Sequence, residues 1–193
     1  MGKKLTKFAS AALFSLGLMA SAWADPAQVS ITATPNPVLT GSTLDVDVMI
    51  SGVADLYAFQ FSLSFDPSLL QSTGVSEGSF LAGGGATYGS NGDVDNSAGT
   101  ISLMGYVLQG PVSGVTGDGV LMHLSFNAVG LGTATLGFSD PVFWNTAFND
   151  IDVNLQPGNV VITAVPEPDA LWMLGAGFGL LAWRRRQVLA GRS

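Results

Sequence analysis

The sequence predicts an all-β protein, an antiparallel β-sandwich or jelly roll flanked by an N-terminal signal helix and a short C-terminal hydrophobic helix. Two observations carry the fold class. Apolar residues between Asp25 and Ala164 recur with a period of two rather than 3.6, the pattern of strands with one wet face. The alternating runs are separated by turns rich in Gly, Pro and Asn, and Gly accounts for 25 of the 193 residues, nearly twice the usual ~7%. A helical bundle or coiled coil is disfavoured, because the chain lacks Ala/Glu/Lys/Arg heptads and only 11% of it is charged against the usual ~25%. An apolar content of 47% argues against intrinsic disorder.

The strands follow in order. Val29–Thr34 is a weak one, closed by Pro35-Asn36-Pro37 and Thr40-Gly41-Ser42. In Leu44–Ile50 the even positions are apolar and Asp45 and Asp47 fall on the other face. In Tyr57–Phe65 every odd position is large and apolar, every even one small or polar, and Asp66-Pro67 ends the run. Gly83-Gly84-Gly85 and Gly89–Gly99 read as polar loop, as does Gly110–Gly119. Thr100–Leu108 is a weak strand. In the strand Val120–Ala128 the apolar set is Val120, Met122, Leu124, Phe126 and Ala128. Thr133–Phe138 and Asn159–Thr163 complete the series. Trp144 and Phe148 are expected to close the core.

Charge divides the chain. The seven basic residues are Lys3, Lys4, Lys7, Arg184, Arg185, Arg186 and Arg192, and no Lys or Arg lies between Phe8 and Trp183. All 14 acids lie between Asp25 and Asp169. Such a middle neutralises no phosphates, so nucleic acid is excluded as a partner. The absence of Cys excludes disulfides, thiol catalysis and thiolate metal sites. Residues 1–24 have the form of a signal peptide. Lys3, Lys4 and Lys7 precede an apolar run, and Ala22-Trp23-Ala24 fits the rule of signal peptidase, which would cleave before Asp25.

At the other end, Val165-Pro166-Glu167-Pro168 precedes an apolar run from Ala170 to Trp183, and Arg184-Arg185-Arg186 follows directly. The order of these elements resembles the PEP-CTERM sorting signal. The resemblance implies recognition by an exosortase, export across the inner membrane of a Gram-negative bacterium, and a transient membrane anchor before release to the surface. Fourteen helical residues reach only ~21 Å, against a hydrocarbon core of ~30 Å. The expected organisation is therefore a signal peptide at 1–24, a β-sandwich domain at 25–164, a sorting signal with a short transmembrane helix at 165–186, and a cytoplasmic tail at 187–193.

The middle resembles a cohesin domain. The residues that carry the likeness are Val29-Ser30-Ile31, Pro35, Gly41, the Leu44–Ile50 strand, Gly52-Val53, and Phe59 to Asp66 with Pro67-Ser68-Leu69-Leu70. Later come Gly119-Val120-Leu121 and Leu124-Ser125-Phe126-Asn127-Ala128. The resemblance implies a nine-stranded jelly roll related to carbohydrate-binding modules, a flat sheet face that binds a dockerin-like module, and a link to polysaccharide breakdown. The expected partner face is the outward parity of the aromatic strand, Ala58, Gln60, Ser62 and Ser64, together with His123. The alternatives are a polysaccharide ligand, with Tyr88, Tyr106, Trp144 and Phe148 as stacking aromatics, or a structural matrix protein with no specific ligand.

No catalytic constellation is evident. His123 is the only imidazole, no Gly-x-Ser-x-Gly elbow exists, and the two Glu residues are Glu77 and Glu167. The expectation is a protein that is not an enzyme and has no cofactor. One candidate ion is calcium, because Asn91, Asp93 and Asp95, and separately Asp150 and Asp152, alternate oxygen ligands along the chain. Asn96 stands where an EF-hand would need Gly, and the bland reading of both segments is solvated turns.

Overall fold

A computed structural model describes residues 25–165. The expected signal peptide at 1–24 and the sorting residues Pro166, Glu167, Pro168, Arg184, Arg185 and Arg186 lie outside the described residues.

Eleven strands and one short helix follow in order: β1 (Ala27–Thr34), β2 (Val38–Leu39), β3 (Thr43–Ser64), β4 (Leu70–Glu77), α1 (Ser79–Ala82), β5 (Thr87–Ser90), β6 (Asp93–Asp95), β7 (Thr100–Leu108), β8 (Val115–Ala128), β9 (Gly132–Asn145), β10 (Val153–Gln156) and β11 (Gly158–Thr163). Strand β3 organises the sandwich. Its first half lies between β1 and β8, and its second half between β7 and β9. One layer is thus β10, β1, the first half of β3, β8 and β4. The other is β2, β11, β9, the second half of β3, β7, and β5 and β6 on the far edge of β7. The crossing falls at residues 50–56, where the register against β8 shifts and Gly52 and Asp55 take left-handed backbone at φ 68° and 59°. Gly adopts that conformation without a Cβ clash.

The period-two residues meet between the layers. Leu44, Val46, Val48 and Ile50 from one half of β3 and Phe59, Phe61 and Leu63 from the other are all buried. They pack with Ile101, Met104, Leu124, Phe126, Leu136 and Phe143 in one continuous core. Rings stack along the second half, Phe59 on Phe61 at 5.8 Å and Phe61 on Phe143 at 6.5 Å.

Several expectations need correction. The runs Leu44–Ile50 and Tyr57–Phe65 are one strand rather than two. The expected loop Gly89–Gly99 contains β5 and β6, both paired with β7. Their two large apolar residues, Tyr88 and Val94, are exposed rather than turned to the core, so only backbone pairing defines these strands. Similarly, β8 starts inside the expected Gly110–Gly119 loop. Within β8, Leu121 and Met122 are both buried, because Val48 pairs with Met122 and Met49 with Val120. The extra residue is a bulge that turns two neighbours inward.

Candidate binding face

The outward side of the second layer carries a shallow groove of about 430 Å³. Its floor follows from register. Tyr88 pairs with Val107, Val107 with Ala58, and Ala58 with Trp144. These four residues form one row across β5, β7, β3 and β9. The next row is Ser90, Gly105, Gln60 and Val142. Gly105 is required on this floor, since a Cβ there would collide with the Phe59 carbonyl and lie 2.9 Å from the Gln60 Cα. No carboxylate lines the groove. Its rim is apolar and open: Tyr88 is 71% exposed, Leu103 58% and Trp144 39%.

One rim residue, Leu103, and one neighbour of the rim, Phe148 beside Trp144, sit on strained backbone. Leu103 and Phe148 both have φ 57°, a conformation that bulky side chains rarely adopt. Each is held there by specific bonds. The Leu103 N–H donates to Ser62 Oγ at 3.1 Å, beside the register shift between Phe61 and Leu63. The Phe148 loop closes around Asn145, whose Oδ1 accepts the N–H groups of Ala147 and Asn149 at 2.9 and 3.0 Å. Its carbonyl accepts the Phe148 N–H at 2.9 Å. Phe148 is 65% exposed and meets Tyr57 and Trp144 edge-on at 5.7 and 6.4 Å. The Trp144 Nε1–H donates to Asp150 Oδ1 at 2.9 Å, which fixes the indole. Trp144 and Phe148 therefore do not close the core; they stand on the surface.

Asp55 anchors this corner. Its carboxylate accepts from Thr146 Oγ1 at 2.7 Å, the Thr146 N–H at 3.3 Å and the Gly114 N–H at 3.2 Å. The Thr146 hydroxyl is the main reason its carboxyl lies below the ordinary range; partial burial opposes the effect, and the two backbone bonds add to it.

The structure separates the residues expected to form the partner face. Gln60 and Ser64 face outward as expected. Ala58 and Ser62 share that parity but are covered, at 8% and 7% exposure. Trp144 and Val107 flank Ala58, and Ser62 supports the Leu103 bulge. His123 is exposed but belongs to β8 in the other layer, where its Nδ1 lies 2.6 Å from Asp47 Oδ1.

The calcium candidates either bond to other groups or stand in solvent. Asn91 Oδ1 accepts the Tyr106 hydroxyl at 2.6 Å, and Asp95 Oδ1 accepts the N–H groups of Ser97 and Ala98. Asp150 holds Trp144, while Asp93 and Asp152 are exposed. No group of three or more His, Asp or Glu side chains placed to hold a metal occurs among the described residues.

This two-layer sandwich with an open apolar sheet face has the architecture of a binding module. The cohesin domain model matches residues 27–165, and the PEP-CTERM protein-sorting motif matches residues 164–186. The chain belongs to the cohesin family and carries that sorting motif. Solved cohesins share the fold. A type I cohesin–dockerin complex of Clostridium thermocellum aligns at TM-score 0.58 and 16% identity, covering 74% of this chain and 97% of that one. The sixth cohesin of scaffoldin B from Acetivibrio cellulolyticus, crystallised with a dockerin, aligns at 0.55 and 20% identity over 72% and 100%. A non-cellulosomal cohesin from the archaeon Archaeoglobus fulgidus aligns at 0.56 and 16% over 77% and 98%. No curated protein matches the chain.

Proposed function

We propose that this protein is an exported, non-catalytic module that docks a dockerin-like protein domain on the outward face of β5, β7, β3 and β9. The observation that carries the reading is the groove itself. On a domain with 12 acids and no Lys or Arg between Asp25 and Val165, this one face presents Tyr88, Leu103 and Trp144 around a floor free of carboxylate. Interface anchors are enriched in such aromatic residues, and charged groups are depleted from interface centres. The solved cohesin–dockerin complexes support the choice of partner.

Signal peptidase releases Asp25, and an exosortase acts at Val165–Pro168 on the outer side of the inner membrane of a Gram-negative cell. The arginines at 184–186 hold the far end in the cytoplasm.

A second reading is favoured by the same rim. Tyr88 and Trp144 stand on either side of the groove, an arrangement that suits a sugar ring as well as a helix, and it would tie the protein to polysaccharide breakdown or to the matrix. Dockerin modules encoded by the same organism, presented to the purified protein beside a polysaccharide array, separate the two. Saturable capture by a dockerin supports the first reading, capture by a glycan alone supports the second, and capture by neither leaves a structural matrix protein.

A further inference from the structure

Eleven large hydrophobic side chains are conspicuously exposed among the described residues, and nine of them fall into two groups. Tyr88, Leu103 and Trp144 line the groove, and Phe148 packs edge-on against Trp144. Leu39, Val129, Leu131, Val161 and Val165 belong elsewhere, and hydrogen bonds bring their backbones together. Thr40 N–H bonds the Thr163 carbonyl at 2.9 Å and Gly41 N–H the Ala128 carbonyl at 2.7 Å. Val38 pairs with Ile162, Leu39 with Thr163, and Ile162 with Gly132. The group therefore surrounds the point where the chain leaves β11. The first strand enters from the other end of the sandwich, since Gln28 pairs with Ser51 and Thr34 with Asp45.

We propose that this apolar end rests on the lipid surface while the sorting segment is in the membrane. The inference rests on the reading of 170–183 as a membrane-inserted segment. Only residues 166–169 separate Val165 from Ala170. The five steps from Val165 to Ala170 span at most about 18 Å of extended chain, so an inserted segment holds this end within that reach of the interface. Contact there covers Leu39, Val129, Leu131 and Val165, which the fold leaves bare. Small apolar side chains partition to the headgroup boundary on area alone. This domain brings no Lys or Arg to add charge attraction. The contact is therefore stronger on zwitterionic than on anionic lipid, the reverse of a polybasic anchor.

The chain has no Cys, so a single introduced thiol is a unique label. Leu131→Cys and, at the opposite end of β8, Ser113→Cys are labelled with an environment-sensitive dye in the full chain and mixed with phosphatidylcholine vesicles. The expected result is co-flotation with vesicles and a severalfold, blue-shifted rise in emission at position 131 only, smaller when a third of the lipid is phosphatidylglycerol. Co-flotation with no change at 131 overturns the docking while leaving the inserted tail intact. Failure to co-float removes the tail reading and the docking with it. A rise at 131 without vesicles marks a second copy of the chain as the occupant and also overturns the proposal.

Discussion

At the scale of single residues, Asp55 links function to folding. One carboxylate joins the crossing of β3, the loop before β8 and the loop after β9, and so sets where Trp144 and Phe148 stand. Its carboxyl titrates below its ordinary value near 3.8, chiefly through the Thr146 hydroxyl. A depressed carboxylate stabilises the fold fully above its unfolded pKa and loses that contribution as pH falls through the lower folded value. Asp66, lowered by Ser68, behaves in the same way but is unchanged in an Asp55 variant. Urea unfolding of the native protein and of Asp55→Asn is expected to show a stability gap that is constant near neutrality and closes below about pH 4. A gap that widens with acid contradicts this assignment.

At the scale of elements, the loop after β9 is a rigid mount for an exposed ring. Phe148→Asn keeps a residue that tolerates left-handed backbone while removing the ring. The melting temperature should shift little, and partner affinity should fall about tenfold, or ~1.4 kcal/mol. A variant that melts much lower with unchanged affinity makes the ring structural.

The core was legible because alternation alone buries Phe59, Phe61 and Leu63. The exposed mount was not. Trp144 and Phe148 carry the hydrophobicity of core residues, and only the φ of 57° at Phe148 and the bonds to Asn145 turn that ring outward. Strand parity also identified Gln60 and Ser64 as open, but it missed that register places Ala58 between Val107 and Trp144. The single strand β3 was hidden because the bends at Gly52 and Asp55 break its period. Strands β2, β4 and β10 were hidden because they are short or polar.

At the scale of the whole molecule, the described domain carries 12 acids against one His, and His123 meets just one of those carboxylates, that of Asp47. Carboxylates without counter-cations repel one another, and salt screens that repulsion beyond ~10 Å at 0.1 M. The melting temperature is expected to rise as NaCl goes from ~10 to ~150 mM. Calcium at matched ionic strength should add nothing, because Asn91, Asp95 and Asp150 already spend oxygens on Tyr106, backbone N–H groups and Trp144. A further rise with calcium would instead mark a metal site.

The groove contains no carboxylate, so recognition there should depend weakly on salt although the domain is acidic. Calorimetric titration of a dockerin module from the same organism into the purified protein tests this face directly. The native protein and His123→Ala, altered only in the other layer, should bind alike. Tyr88→Ser combined with Trp144→Ala should weaken binding by more than about tenfold, a loss above ~1.4 kcal/mol, with the melting temperature held. Binding that survives the double substitution, or that is lost with His123→Ala, would place the partner on a different surface and contradict the account.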